Sequence, residues 1–299
     1  MKADVVQMQD YEKPSMKHVL DNFKNFFGLD EMPFSLVPQL RYYTVLPNHN
    51  DCFNMLLFAI SAGNGIIKVT GEVGTGKTLI CRNLIKTLFE QGYYVAYLPS
   101  PRLTPIELKW SLAKELKISD LNDLNEHDLL DAINKQLINL SNIGKNVILI
   151  VDDTQSCPKD TLDEIRMLTN LDLGSKNLIQ ILLFGQPELD DILSKHEFRQ
   201  LSQRINFSHR LTCLNKEDID QYINHRIGIA GYNGIPVFDP SAIKYLHKMT
   251  KGIPRLINIL CEKSLFIAFS KGLRKVNKEI VKAAVEDTDC IKSNIKWLV

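Results

Sequence analysis

No stretch of this chain stays apolar for the roughly 18–20 residues that a bilayer span requires. The best candidate, Leu256 to Phe269, is interrupted by Glu262-Lys263. The N-terminus is polar, carries Asp4 and Asp10, and lacks the apolar centre of a secretory leader. The chain is therefore not expected to cross a membrane by itself. Cysteine is sparse. The six residues Cys52, Cys81, Cys157, Cys213, Cys261 and Cys290 form no CxxC pair, and their spacings fit no metal site. They read as free thiols of a reducing compartment, which points to the cytoplasm. His49, His127, His196 and His247 show no ligand spacing either and read as ordinary surface or packing residues. An excess of charge is also missing, since the formal net charge is +1. No overall field steers nucleic acid or membrane toward the chain. The balance is uneven, however. Residues 212–299 hold 14 Lys and Arg against 9 Asp and Glu, a net of +5 that leaves −4 for the rest. A mildly basic C-terminal part could face nucleic acid, acidic lipid or an acidic partner, or be a solvated helical surface. There is no internal repeat and no low-complexity tract. What is present is ordinary globular material: 299 residues, 44% hydrophobic and 24% charged, enough for one large core and a smaller domain.

The most informative segment is Gly71-Glu72-Val73-Gly74-Thr75-Gly76-Lys77-Thr78, a complete GxxxxGK[ST] phosphate loop. Ile66 to Thr70 reads as a short buried strand before it. Leu79 to Glu90 reads as a helix after it, with Leu79, Ile80, Leu84, Ile85 and Leu88 at helical spacing. Strand, loop and helix together are the context the motif needs. Glycines let the backbone curl so that successive N–H groups face an anion, and the helix N-terminus adds its partial positive charge. Lys77 reads as a surface-loop charge aimed at the β- and γ-phosphates of ATP, and Thr78 as a ligand of Mg²⁺. The nucleotide would lie along Gly71 to Leu79.

A second strand, Val147 to Val151, is apolar without interruption, as expected of a strand covered on both faces, and ends in Asp152-Asp153. Asp152 is the candidate metal ligand and Asp153 the candidate general base that polarises the attacking water. A third strand, Leu178 to Phe184, ends at Gly185-Gln186-Pro187. Gln186 is a candidate for contact with the γ-phosphate or its water. Alternatively, Gln-Pro simply opens the next helix.

Strand and helix signals alternate along residues 17–211. Tyr93 to Leu98 reads as a strand, and Thr104-Pro105-Ile106-Glu107 as a capping box that opens a helix to about Lys117. Further helices are expected over Asp51 to Ser61, Asn125 to Ser141, Pro158 to Leu171 and from Pro187, and a last strand over Ile205 to Leu211. Five strands with helices between them imply a three-layer parallel α/β sheet. After Leu211 the pattern turns helical. Asn215 caps a helix with Ile219, Tyr222, Ile223 and Ile227 on one face, and Asp239-Pro240, Pro254 and Asn277 start three more. The expected organisation is a loose tail (1–16), a nucleotide-binding α/β domain (17–211) and a small all-helical domain (212–299). The Trp297-Leu298-Val299 tip is expected to dock on the chain itself.

A phosphate-loop α/β domain followed at once by a helical lid resembles an AAA+ ATPase. Phe27–Tyr43, Thr70–Leu84, Leu182–Leu193 and Gly252–Leu265 resemble the ExeA/GspA family of secretion ATPases. Within it they are most similar to the short, MshM-like branch that serves MSHA type IV pilus assembly. The stop at Val299 fits that branch. Asp153-Thr154 departs from the Glu-Ala usual before Gln155, and the shorter carboxylate bears on the hydrolysis rate. The resemblance implies two further site residues. Arg204 stands where an arginine finger would reach a neighbour's γ-phosphate, with Arg199 second, and Arg255 stands where a lid arginine faces the nucleotide. It also implies that the segment Phe34 to Tyr43 lines the adenine side, although simple packing would account for it too. The implied function is Mg²⁺-dependent ATP hydrolysis by a ring-like homo-oligomer that works with inner-membrane pilus or type II secretion components. Two other readings share the fold: a DNA-associated ATPase of the transposition-helper or initiator class, and an ATP-dependent scaffold that barely hydrolyses. Nucleic acid is not the expected partner, because no helix-turn-helix follows the lid and the basic excess is modest.

Overall fold

A computed structural model describes residues 16–44, 46–63, 65–99, 102–119, 121, 125–173 and 176–289. Cys290, the Trp297-Leu298-Val299 tip and the expected tail up to residue 15 lie outside the described residues. Met16 opens helix α1 (Met16–Phe27), which the sequence reading does not anticipate. Helix α2 (Pro47–Ser61) follows, starting four residues before the expected Asp51 because Pro47 occupies its first turn.

Strand β1 (Ile66–Gly71) leads through the phosphate loop into α3 (Lys77–Glu90), and then come β2 (Tyr94–Leu98), α4 (Pro105–Glu115) and α5 (Glu126–Asn142). The capping box of α4 is complete: Glu107 N–H donates to Thr104 Oγ1, and Thr104 N–H donates to Glu107 Oε2 at 2.8 Å. Asn125 caps α5 by accepting the N–H groups of His127 and Asp128. Strand β3 (Val147–Val151) precedes α6 (Lys159–Leu168), which ends three residues short of the expected Leu171. There the chain turns into a small hairpin of β4 (Asp172–Leu173) and β5 (Lys176–Asn177). Then come β6 (Ile179–Gly185), α7 (Glu188–Leu193), α8 (Arg199–Ser202) and β7 (Ile205–Leu211).

The five main strands form one parallel sheet in the order β2-β3-β6-β1-β7. Alternation along β3 explains its unbroken apolar run. Ile148 and Ile150 pack with α2 and α3 residues such as Leu56, Ile80 and Leu84, while Val147, Leu149 and Val151 pack on the opposite face with Leu112, Ile133 and Ile165. On that second face the ammonium of Lys109 is buried between Glu126 (2.8 Å) and Glu164 (3.1 Å), joining α4, α5 and α6. In an open parallel sheet of this kind, ligands bind beyond the carboxyl ends of the strands, where the order switches. The chain leaves β1 for the far edge at β2, so the switch point is the end of β1.

The lid comprises α9 (Lys216–Ile229), α10 (Pro240–Thr250), α11 (Pro254–Ser270) and α12 (Lys278–Glu286), each starting where its cap or proline predicts. Its core recruits the N-terminal segment: Phe23, Phe27, Leu29, Phe34 and Leu46 are buried among Ile219, Ile257 and Leu260. Phe23 meets Phe269 edge to face at 5.5 Å. Burying a phenylalanine of this kind contributes roughly 1.5–3 kcal/mol. The strap of residues 28–44 is thereby anchored to the lid before it passes the end of β1.

Candidate functional site

The phosphate loop owes its shape to its sequence. Thr75 folds back on Glu72, whose carbonyl accepts both the Thr75 N–H (3.3 Å) and Oγ1–H (2.8 Å). Gly76, the N-cap of α3, sits at φ +101°, and Gly74 at φ +83°. Side-chain-bearing residues are strained in that region. The N–H groups of Lys77 and Thr78, first in the helix, have no intrahelical acceptor and are free for an anion. Lys77 corrects the expectation of a surface charge. It is 7% exposed, and its Nζ donates to the carbonyls of Gly71 (2.6 Å) and Glu72 (2.9 Å). Burial pulls its pKa below the ordinary lysine value, and the carboxylates of Asp152 and Asp153 oppose that pull.

Those carboxylates stand at the end of β3, beside the loop. Asp152 is buried, accepting Asp153 N–H through Oδ1 (2.9 Å) and Tyr97 O–H through Oδ2 (3.3 Å). Burial pushes its pKa above the usual carboxylate range. Asp153 is exposed to the cleft with left-handed backbone, φ +51°. Aspartate tolerates that conformation better than most residues. Gln155 links this turn to the neighbouring strand: its Oε1 accepts Gln186 N–H at 3.0 Å, and its Nε2 donates to Asp153 Oδ1 at 3.4 Å. Gln186 lines the same cleft. The sequence offered one signal for Gln155, its place two residues beyond the acidic pair.

Strap and lid close the cleft from the other side. Its volume is about 360 Å³. Val73 to Leu79 line it, together with Asp153, Gln186, Arg255 and the strap residues Ser35 to Pro38, Tyr42 and Tyr43. Gly71 and Glu72 sit behind, their carbonyls engaged by Lys77. Phe34, expected at the adenine side, is instead fully buried in the lid core against Phe238. Arg255 approaches the loop closely: its N–H donates to Gly74 O at 3.2 Å, and a Cβ on Gly74 would come within 2.7 Å of Arg255 Cβ. Arg226 passes unremarked in the sequence, although a charge on the Ile219-Tyr222-Ile223-Ile227 stripe was a visible anomaly. It is 5% exposed, donates to Pro33 O (2.6 Å), Ser35 O (3.3 Å) and Tyr222 Oη (3.1 Å), and lies 4.4 Å over the Tyr42 ring. It therefore ties the strap to the lid. His49 is also no ordinary packing residue, since its Nε2 meets the carbonyl of Thr75 at 2.8 Å. Arg204 and Arg199 stand apart from the cleft; Arg204 is the better defined of the two. It precedes Ile205, which pairs with Ile66 at the start of β1, so about 17 Å of strand separates it from its own phosphate loop. Its guanidinium donates to Thr169 Oγ1.

The residues present suit a nucleoside triphosphate. Unsatisfied helix-start N–H groups, a buried ammonium and a cleft of drug-like size converge, and positive-φ glycines keep side chains out of the cradle. The Thr78 hydroxyl and Asp152 supply hard oxygen donors of the kind a divalent cation takes. An AAA domain matches residues 60–193. General secretion pathway protein A of Aeromonas hydrophila is 34% identical over 275 residues, which is 92% of this chain and 50% of that protein. An uncharacterised HTH-type transcriptional regulator of Methanocaldococcus jannaschii is 24% identical over 257 residues, covering 73% of this chain and 61% of its own length. Among solved structures, Cdc6p of Pyrobaculum aerophilum superposes with a TM-score of 0.69 at 17% identity, over 87% of this chain and 71% of that one. At that identity the likeness shows the fold alone. The chain thus spans between half and three fifths of these curated relatives' length. Fold and site define the class, an AAA-type P-loop ATPase with a helical lid. Within that class the chain is similar, over nearly its whole length, to general secretion pathway protein A, the ExeA/GspA type. Among the described residues, no helix is long and apolar enough to cross a membrane.

Proposed function

We propose that this chain binds and hydrolyses ATP with Mg²⁺, as part of a homo-oligomer that supports assembly of a secretion or MSHA-like type IV pilus apparatus at the inner membrane. The observation that carries the proposal is the convergence of Lys77, Asp153, Gln186 and Arg255 on one cleft from four separate elements. In this reading the helix-start N–H groups and the Lys77 ammonium hold the β- and γ-phosphates, and Arg255 adds a cation from the lid. Thr78 and Asp152 would hold the Mg²⁺, whose charge neutralises that developing on the phosphate oxygens. Asp153 takes the proton from water as its oxygen bonds the γ-phosphorus and the bond to the bridging oxygen of ADP breaks. Gln155 holds the turn that aims Asp153 and fixes the backbone of Gln186 beside it. Strap residues such as Tyr42 and Tyr43 give the base an apolar wall. The pilus or secretion apparatus as destination rests on that similarity and on the resemblance to the MshM-like branch.

The test is phosphate release by the intact chain and by Asp153→Asn, beside ATP titration of both. Asp153→Asn should retain ATP affinity and lose about 10²–10⁴-fold in turnover, since shape is kept and the base removed. Equal turnover in the two proteins would place the base elsewhere. Tight ATP binding with negligible turnover in the parent would favour the scaffold reading, which the short Asp153 side chain makes a specific alternative.

A further inference from the structure

The first turn of α2 touches both the phosphate loop and the linker that runs from β7 to the lid. His49 is 7% exposed and lies 2.8 Å through Nε2 from the carbonyl of Thr75. A carbonyl can only accept, so Nε2 carries the proton. Its other nitrogen, Nδ1, is buried without a hydrogen-bond partner among the described residues. A Cβ on Gly76 would stand 3.0 Å from Nε2, so the imidazole lies directly against the loop. The preceding residue, Asn48, accepts the N–H of Thr212 through Oδ1 at 2.9 Å. Thr212 begins the linker from β7 to the lid. Two residues on, Leu214 N–H donates to Gly252 O at 2.9 Å, just before α11. Arg255, in the first turn of α11, returns its N–H to Gly74 O. These contacts close a circuit that leaves the phosphate loop at Thr75 and re-enters it at Gly74.

We propose that the Asn48-His49 turn is a positioning device that sets the phosphate loop and couples it to the lid. It rests on the ATP-binding reading above. The peptide unit is a rigid plane in which C=O and N–H point in opposite directions. Holding the Thr75 carbonyl outward on His49 therefore presents the Gly76 N–H inward, toward the anion. Without that donor the peptide is free to rotate, because glycine has little preference between the two senses of φ. Asn48 and His49 share one helical turn and cannot move independently. A shift of the loop on binding phosphate is thus carried to Thr212, and through the linker to the lid. His49 acts on the nucleotide only through the backbone it holds, and Asn48 only through the linker.

The experiment uses the full chain, with ATP affinity measured by titration calorimetry and amide hydrogen exchange followed at residues 212–214 with and without ATP. His49→Leu should weaken ATP binding about tenfold, the scale of one lost hydrogen bond to a buried carbonyl. His49→Gln keeps an N–H donor and should recover most of that loss, which a purely structural role would not predict. Asn48→Ala should bind ATP within about threefold of the parent, yet ATP should no longer slow exchange in the linker. Unchanged affinity in folded His49→Leu overturns the positioning role, and full ATP protection of the linker in Asn48→Ala overturns the coupling. If His49→Leu does not fold by circular dichroism, the Asn48→Ala exchange arm decides by itself. Failure of the parent chain to bind ATP overturns the nucleotide reading as well and is thereby distinguished from failure of the coupler alone.

Discussion

Lys77 is held by its own loop, with two carbonyls on its ammonium and two carboxylates in its field. On the proposed reading its contribution to a bound phosphate would be that of charge-assisted hydrogen bonds at roughly 1.5–3 kcal/mol each. Lys77→Ala should therefore weaken ATP binding by about 100-fold or more while the fold survives. Truncation leaves Gly71 O without its partner but also removes a buried cation, and these effects oppose each other. Calorimetric titration checks the first statement and circular dichroism the second; undiminished affinity would remove Lys77 from the site. A second residue-scale prediction concerns Gln155. Gln155→Ala frees both Asp153 Oδ1 and the Gln186 N–H, so kcat should fall about tenfold, one hydrogen bond's worth of lost aim, with KM little changed. A rise in KM at constant kcat would contradict a role in aiming the base. The letters of the loop and the acidic pair were legible because each answers a local demand, whether a positive φ, a helix start or a strand end. Arg226 and His49 were not, because their partners are brought to them only by folding, and the same holds for the contact of Gln155 with Gln186. Arg226 meets carbonyls of Pro33 and Ser35, more than 190 positions away.

At the scale of elements, the five main strands were legible because continuous apolar runs and turn residues bound them tightly. Helix starts were legible at the side-chain caps Thr104, Asn125, Asn215, Asp239 and Asn277, whereas α2 starts at Pro47, four residues before the expected Asp51. Helix α1 was missed because its stripe of Phe23 and Phe27 finds its cover on α11, far along the chain. The hairpin at Asp172–Asn177 has strands too short to leave a periodic trace. Three imidazoles, one each on α2, β7 and α9, share one property. Burial lowers the pKa of His49, His209 and His225 below the ordinary histidine value of 6.5, against partly opposing fields from Asp218 on His49 and Asp51 on His209. A lowered pKa means that the unfolded chain takes up more protons than the folded one below pH 6.5. Stability is then fully present above that pH and falls as pH drops through it toward the folded values. The melting temperature should decline between about pH 7 and pH 5, and His49→Gln should shallow the slope. A melting temperature flat across that range in the parent would contradict these assignments. Asp152, whose pKa burial raises, works in the opposite sense.

At the scale of the whole molecule, one chain assembles a cleft with a cation from the loop and a second from the lid, yet leaves Arg204 about 17 Å of strand away from it. An arginine in that place cannot serve its own phosphate loop. It can serve another subunit's, provided that subunits pack with the start of β7 against a neighbour's cleft. In the single chain the Arg204 guanidinium is half-buried on Thr169, whereas Arg199, on the short α8, is exposed. If Arg204 acts in trans, it must release Thr169 on assembly, and Arg199 is the competitor that needs no release. Either finger makes turnover depend on protein concentration. An arginine finger contributes on the order of 10³–10⁵ in rate in related phosphoryl transfer. Arg204→Ala should thus bind ATP normally and hydrolyse it very slowly, with Arg199→Ala close to the parent. Mixed with Lys77→Ala protein, Arg204→Ala should regain part of its activity. The first supplies an intact arginine to a neighbour and the second an intact phosphate loop. Steady-state phosphate release from each mutant alone and from the mixture, with light scattering to establish co-assembly, makes the measurement. Co-assembly without rescue removes Arg204 as a trans-acting residue, and rescue that follows Arg199→Ala instead transfers the role to Arg199.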